Sequence, residues 1–473
     1  MSLMSDQIKE RALFETSPIL RAIFKLAFPT VIGQIILVIY NMADTFFIGL
    51  TNNDSMLTAV TVCMPAFMFL SAISNLFGVG GSSVISRALG RNNVSRAKRT
   101  AAFALWGCIA VTVAYSLAAL ALRHPFLNLL GADNPEHPEM HDYAVSYLMV
   151  TVVLGGIGTT MNTLLGHLVR SEGRSVHASV GIAFGGVMNI ALDPLFMYVL
   201  LRPGQEVLGA AIATALSNFL SMVYFIVIIA STRKKSVLRF RPSWEMFQNG
   251  IVRDVLSTGL PACLMTLCEN ISYAVLDKLI SLYRVISMQS GIGVAKKVNM
   301  LAHCMVRGMS QGVLPLIGYN YASGNHKRMR QAVLISMGIS VGLATLCMIA
   351  ALTLARPLIS VFTDSEPTIA CGAAFLRILC IGGPFSACAY AFISFFQATG
   401  QGLKSFILAI LRKGVLDIPM MLMLNALVHH EGRDVVWATP IADFICCIVS
   451  ISLFVGFIHR QTNLFDDVAP ELD

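Results

Sequence analysis

The amino-acid sequence predicts an all-α integral membrane protein, with twelve transmembrane helices arranged as two six-helix lobes related by a parallel internal repeat. Three observations lead there. Hydrophobic residues make up 56% of the 473 and charged residues only 13%, against about 45–50% and about 25% in soluble domains. Apolar stretches of span length recur along the whole chain, and residues of the first half return in the second at a fixed offset. With mean hydropathy at +0.71, too little polar surface exists to cover a soluble core of this size. That excludes a soluble enzyme, a disordered chain and a nucleic-acid-binding domain.

A straight span needs about 20 apolar residues. The sequence predicts helices over 22–50, 57–87, 99–122, 143–169, 177–201, 207–231, 251–283, 288–320, 331–355, 368–397, 404–428 and 435–459. Several exceed the minimum, so tilt or protrusion beyond the bilayer is expected. Before the first helix stand Asp6, Lys9, Glu10, Arg11 and Glu15. No short apolar core with a cleavage site accompanies them, so no removed signal peptide is expected.

The loops fix the orientation. Arg87, Arg91, Arg96, Lys98 and Arg99 follow helix 2; Arg233, Lys234, Lys235, Arg239 and Arg241 follow helix 6; Lys327, Arg328 and Arg330 follow helix 8. The alternate loops carry Asp54, then Asp133, Glu136, Glu139 and Asp142, then Asp364 and Glu366. Positively charged loops stay in the cytoplasm, so both termini are expected there. This also accounts for the net charge of +8 without a nucleic-acid partner. The eleven cysteines form no CxxC pair and no zinc-spaced cluster. Cys63, Cys108, Cys263, Cys268, Cys347, Cys446 and Cys447 lie in apolar runs, where Cys acts as a small hydrophobe.

A shift of 232 residues superposes Pro29 on Pro261, Gly80 on Gly312, Asn93 on Asn325, Arg96 on Arg328 and Pro125 on Pro357. A shift of 228 brings Gly155 onto Gly383 and Gly186-Val187 onto Gly414-Val415. Halves separated by an even number of spans share one membrane orientation, as parallel repeats do. The expected organisation is an N-terminal cytoplasmic segment 1–21, a first lobe 22–231, a basic linker 232–250 with Pro242, a second lobe 251–460 and an acidic tail 461–473. Duplicated bundles of this kind place a substrate site near mid-membrane and alternate its access by rocking.

Leu26-Ala27-Phe28-Pro29 and Asn41-Met42-Ala43-Asp44-Thr45-Phe46-Phe47-Ile48-Gly49 resemble helix 1 of the multidrug and toxic compound extrusion (MATE) family. Gly80-Gly81-Ser82-Ser83-Val84-Ile85-Ser86-Arg87-Ala88-Leu89-Gly90 is similar to the end of that family's helix 2. Gly308-Met309-Ser310-Gln311-Gly312 and Pro315-Leu316-Ile317-Gly318-Tyr319-Asn320-Tyr321 resemble its helix 8 signature. The resemblance runs from about residue 20 to 460. It implies an antiporter that expels organic cations or other toxic compounds in exchange for protons or sodium, through a V-shaped cavity between two lobes. The DinF-like branch carries aspartates on helices 1 and 5, which fall on Asp44 and Asp193. The NorM-like branch has a helix 7 glutamate eight residues after a proline, and Glu269 stands eight after Pro261. That branch also uses a helix 10 aspartate; here Cys388 stands near the place, with no acid between 368 and 397.

The charges can also be read without the family. A carboxylate in mid-bilayer costs about 2.5–3.5 kcal/mol on insertion scales, so each is a functional candidate. Gln34, Asn41 and Asp44 recur at near-helical spacing, as a polar face toward a cavity or a neighbour would. Asn189 and Asp193 are four apart and share a face of helix 5, followed by Pro194, which loosens the backbone. Two buried acids close together favour holding a proton on one of them, which suits proton exchange. The competing readings are a polar packing contact or an ion pair near the outer interface for Asp44, and a bond to Asn189 or a helix-end role for Asp193.

On helix 7, Thr266, Glu269, Asn270, Tyr273 and Asp277 share a face, as do Lys296, Asn299, His303, Arg307 and Gln311 on helix 8. Counting at about 1.5 Å per residue along antiparallel neighbours sets Asp277 level with Lys296 and Glu269 level with His303. Asp277 and Lys296 read as a structural ion pair. Glu269 could bind a cation, relay a proton with His303 or simply pair. Sodium could therefore sit at Glu269 or at Asp44 and Asp193; no other metal and no cofactor beyond the coupling ion is expected. Lys413 and Asp417 read as a structural pair, Arg170, Glu172 and Arg174 as a short cytoplasmic loop cluster that pairs with itself or with solvent, and Arg377 and Asp443 have no evident partner.

No GxxxxGK[ST] loop, GxSxG elbow or His/Glu zinc pattern occurs, so the chain is not expected to be an enzyme. The expected protein is a monomeric multi-pass antiporter of the bacterial inner membrane, acting on small organic cations or drugs. A lipid-linked oligosaccharide flippase of related architecture is the alternative, and a channel a weaker one.

Overall fold

In the computed structural model the described residues are 12–51, 53–130, 139–233, 236–283, 285–427 and 433–466. Asp133, Glu136, Lys234, Lys235, the first eleven residues and the last seven of the acidic tail lie outside them. Twelve long helical units follow one another. In the first half they are α1 Ile19–Gly49, α2 Asp54–Gly90, α3 Val94–Ala121, α4 Glu139–Leu148 continued by Gly156–Ser171, α5 Ser175–Leu200 and α6 Glu206–Ser231. In the second they are α7 Ile251–Ser281, α8 Ile286–Ala322, α9 His326–Thr353, α10 Glu366–Ile381 continued by Gly383–Ala398, α11 Gly402–Leu427 with a wide π turn over Leu411–Asp417, and α12 Ala438–Asp466. The sequence-predicted helices coincide with these within a few residues.

Eight of the units are long and apolar enough to span a bilayer by themselves, and α4 and α10 join them as bent pairs. The remaining two, α8 and α11, carry Lys296, Arg307, Arg412, Lys413 and Asp417 within their length. Their polarity is explained by partners inside the second lobe.

The repeat is visible as shared local devices. Asn93 and Asn325 cap α3 and α9, accepting from the amides of Arg96 (2.9 Å) and Arg328 (3.1 Å), a cap that contributes about 1 kcal/mol. The residues just before them, Asn92 (φ 56°) and Gly324 (φ 80°), both take the left-handed turn that Gly and Asn tolerate best. The repeat-matched Gly155 and Gly383 sit at the breaks of α4 and α10, where the helices bend by 49° and 43°.

The lobes meet along two helix pairs, α2 with α7 and α1 with α8. Gly80 lies against the carbonyl of Val255 and Gly259 against that of Leu76; Gly308 and Gly312 lie against Val31 and Ala27. All four contacts, with the hydrogen bond from Ser83 Oγ to the Gln397 carbonyl (2.6 Å), lie toward the end of the bundle where the arginine-rich turns gather. The lobes are therefore closed at this basic end. Two lead-in segments strap it: residues 12–15 lie on the second lobe, with Phe14 stacked on Tyr319 at 5.0 Å, and residues 240–247 lie on α3.

Candidate functional site

The first-lobe carboxylates are set by the register of α1 against α5. Gly33 lies against Ser179, Gly186 against Tyr40, and the Tyr198 hydroxyl donates to the Phe47 carbonyl at 2.6 Å. These contacts keep the two helices parallel and in step, so Asp44, between Tyr40 and Phe47, stands level with Asp193. Gly186 permits the approach, since a side chain there would press on Ile36 and Tyr40.

Both aspartates are buried. Asp44 Oδ1, Asp193 Oδ2 and Asn189 Oδ1 have no hydrogen-bond partner among the described residues. Asn189 Nδ2 donates to Asp193 Oδ1 (3.3 Å) and to Thr214 Oγ1 (3.4 Å). The charge of Asp44 acts on Asp193, and both act on the phenols of Tyr40 and Tyr147. No basic side chain pairs with either acid among the described residues. The result is a buried cluster with two acids, two phenols and one amide.

Between the lobes lies a cleft lined by Asn75, Ser82, His167, Thr266, Arg307, Gln311, Tyr390 and Gln397 together with apolar side chains. Asn75 Nδ2 donates to Thr266 Oγ1 (2.9 Å) and Gln34 to Gln311 (3.4 Å) across the lobe boundary. Among the described residues no carboxylate lines this cleft.

The second-lobe acids are, in contrast, engaged. Glu269 accepts from Arg307 Nη2 at 2.5 Å and from the Tyr390 hydroxyl at 3.4 Å. Arg412 Nε donates to Asp443 at 2.7 Å, both fully buried, and the Arg412 guanidinium lies 4.4 Å from the Tyr390 ring centre. Asp417 takes Lys413 (2.8 Å), Ser272 (2.6 Å) and Thr439 (3.0 Å). The π turn of α11 turns Arg412, Lys413 and Asp417 all into the lobe interior.

The MatE family profile matches residues 29–195 and 261–423, one match on each half. The chain belongs to the MatE family. "Multidrug export protein MepA" of Staphylococcus aureus (strain MRSA252) is 28% identical over 454 residues, covering 95% of this chain and 96% of that one. Among solved structures, "Crystal structure of MATE in complex with MaL6" superposes with a TM-score of 0.87 at 25% identity, over 96% of this chain and 99% of the other. "Outward-facing conformation of a multidrug resistance MATE family transporter of the MOP superfamily" follows at 0.86 and 25%, over 95% and 98%.

Within this MatE fold the sequence candidates divide. Asp44, Asp193 and Asn189 come together. Gln34 does not join them: it lies ten residues, about 15 Å of helix, from Asp44 and faces Gln311 across the lobe boundary. Asn41 Nδ2 donates to its own helix at the Leu37 carbonyl, and Asn270 likewise to Thr266. Glu269 takes Arg307 as its direct partner, one turn beyond the expected His303, because the long arginine side chain reaches back along α8. His303 is buried nearby and contributes only at longer range. Asp277 and Lys296 do pair, with Lys296 5.6 Å from the Tyr273 ring centre.

Glu172 and Arg174 do pair with each other, at 3.7 Å, but solvent is not the other partner: all three of Arg170, Glu172 and Arg174 are buried, and Glu172 also accepts from Ser236 and the Val237 amide. The partner of Asp443 is Arg412, while Arg377 Nε donates to the Leu352 carbonyl. Sequence reasoning missed Tyr40, Tyr147, Thr214, Tyr390 and Arg412. Tyr40, four before Asp44, was legible from spacing; the others arrive from distant helices and leave no local signal.

Proposed function

We propose that this MatE-family chain is a secondary active multidrug exporter that exchanges organic cations and other toxic compounds for protons by alternating access, with Asp44 and Asp193 as the coupling site. The observation that carries the reading is the pair of level, buried aspartates with orphaned oxygens and no cation beside them. An unpaired buried carboxylate is costly in low dielectric, and a proton or a cationic guest removes that cost. The two therefore compete for one site, which is what exchange requires. Glu269 is the weaker place for sodium, since Arg307 already neutralises it.

The basic end is cytoplasmic by the charge of its loops, which sets both termini inside a bacterial inner membrane. With that end closed, the cleft faces outward. Each chain holds a complete site and acts as a monomer. The similarity to a multidrug export protein and the acidic first lobe favour this reading over a lipid-linked oligosaccharide flippase, whose pyrophosphate needs cations there.

The test is ethidium efflux in proteoliposomes under an imposed proton or sodium gradient, for wild type and Asp44→Asn. Proton-driven efflux lost in the variant supports the assignment. Flux driven by sodium alone, or proton-driven flux surviving in Asp44→Asn, overturns it.

A further inference from the structure

A second cavity opens at the basic end among α2, α3 and α7. It is lined by Arg87, Arg91, Asn93, Arg96 and Asp254 over an apolar floor of Val84 and Ala88. Three arginines face one aspartate, and that aspartate is already taken, since Arg96 Nη2 donates to Asp254 at 2.6 Å. Arg87 spends only its Nε, on the Ser83 carbonyl at 3.3 Å. Its guanidinium passes over Gly400 of the second lobe, where any side chain would collide with it. Arg87 and Arg91 thus leave two positive charges without a carboxylate among the described residues.

The second half shows what such a place holds. The repeat equivalents of Arg87 and Arg96 are Tyr319 and Arg328. Arg328 donates to the carbonyls of Phe14 (2.7 Å) and Leu13 (3.2 Å), and the Tyr319 hydroxyl to the carboxylate of Glu15. The N-terminal lead-in segment therefore supplies acceptors, one of them anionic, to the second-half site. In the first half the linker gives the Asn249 carbonyl to Arg96 and the Glu245 carboxylate to Arg99, but among the described residues it sends no acceptor into the pocket beside Arg87 and Arg91.

We propose that this first-half pocket binds a phosphate-type oxyanion, presented by the headgroup of an anionic membrane lipid, and so ties the lobes together at the basic end. Arginine forks match phosphate oxygens in pairs, and basic pockets between helices on the cytoplasmic side suit lipid headgroups. The inference concerns neither the cargo nor the coupling acids, and it stands if the proposed exchange fails.

The test is lipid binding to the purified full chain in neutral detergent, read by native mass spectrometry. The probes are phosphatidylglycerol, phosphatidylcholine and inorganic phosphate. Phosphatidylglycerol is expected to bind tighter than phosphatidylcholine, and Arg87→Gln/Arg91→Gln to weaken it about 30-fold, at about fivefold per arginine. Asp254→Asn, which frees Arg96, is expected to tighten it several-fold, a gain that misfolding does not mimic. Arg87→Lys/Arg91→Lys is expected to retain most of the preference, and it stands in if the glutamine variant does not fold. Displacement of the lipid by millimolar phosphate alone would keep the oxyanion site and make its source soluble. Equal binding of the two lipids, or an unchanged affinity in both the glutamine and Asp254→Asn variants, overturns the proposal.

Discussion

Arg96 and Arg328, 232 residues apart, perform the same task at pseudo-symmetric places. Arg96 on α3 grips the segment that leads into α7, through the Asn249 carbonyl (3.0 Å) and Asp254 (2.6 Å). Arg328 on α9 grips the segment that leads into α1, through the carbonyls of Leu13 and Phe14. Each lobe thus holds the entry strand of the other, and rocking open at the basic end must release both grips.

Removing the grips should favour the opened state. The Arg96–Asp254 pair is partly exposed and contributes about 0.2–1 kcal/mol; the Arg328 bonds to carbonyls contribute on the order of 1.5–3 kcal/mol together. Spin labels at the exposed Ser95 and Lys327 should report a longer distance population in Arg96→Ala/Arg328→Ala than in wild type. Identical distributions would show that the grips do not hold the closure.

The glycines of the lobe boundary make a sharper prediction. A β-carbon at Gly259 would run into the Leu76 backbone, and one at Gly80 into the Val255 carbonyl, neither of which can rotate away. Gly259→Leu should prevent closure of the basic end and cut efflux at least about tenfold, the effect of roughly 1.4 kcal/mol against the closed state. Gly338→Ala is the control, since nothing lies within 4 Å of a β-carbon there and replacing a mid-helix glycine gains about 0.5–1 kcal/mol. Equal loss in both would point to helix stability instead of the boundary.

These glycines show where the sequence was informative. Gly80 and Gly312 stand out in the repeat because α2–α7 and α1–α8 are equivalent contacts, and Asn93 and Asn325 because both are helix caps. Ten of the twelve spans follow from apolar run length, two of them as bent pairs, and the charged α8 and α11 follow from the repeat. Asp44 and Asp193 were legible because a lone acid in an apolar span has few uses. Partners were not legible, since pairing inside a bundle depends on which helices touch. Glu269 illustrates this: spacing placed it beside His303, whereas Arg307 holds it. Arg412 was overlooked because the π turn that buries it has no sequence mark.

The second-lobe charges should behave as a structural network. Arg412 and Asp443 are 0% and 1% exposed, so Arg412→Met leaves a buried uncompensated carboxylate, at about 3–5 kcal/mol. Arg412→Met/Asp443→Leu should recover most of the loss, because two apolar side chains replace a fully desolvated pair. Thermal unfolding in detergent measures both. A double variant no more stable than the single one would mean that this pair is more than mutual compensation.

The first-lobe acids should respond in the opposite manner. Asp44 and Asp193 have no cationic partner among the described residues, so replacing either by Asn removes a buried charge without orphaning another. Asp44→Asn should therefore unfold at the wild-type temperature or above, while proton-driven efflux falls at least about 100-fold, the effect of losing about 2.7 kcal/mol of coupling. Asp193→Asn should show the same separation less completely, since Asn189 and Thr214 remain to bind the new amide. Stability and transport thus move independently here and together at Arg412. A collapse of stability in Asp44→Asn would mean that its carboxylate holds the lobe together, and coupling would have to be sought elsewhere.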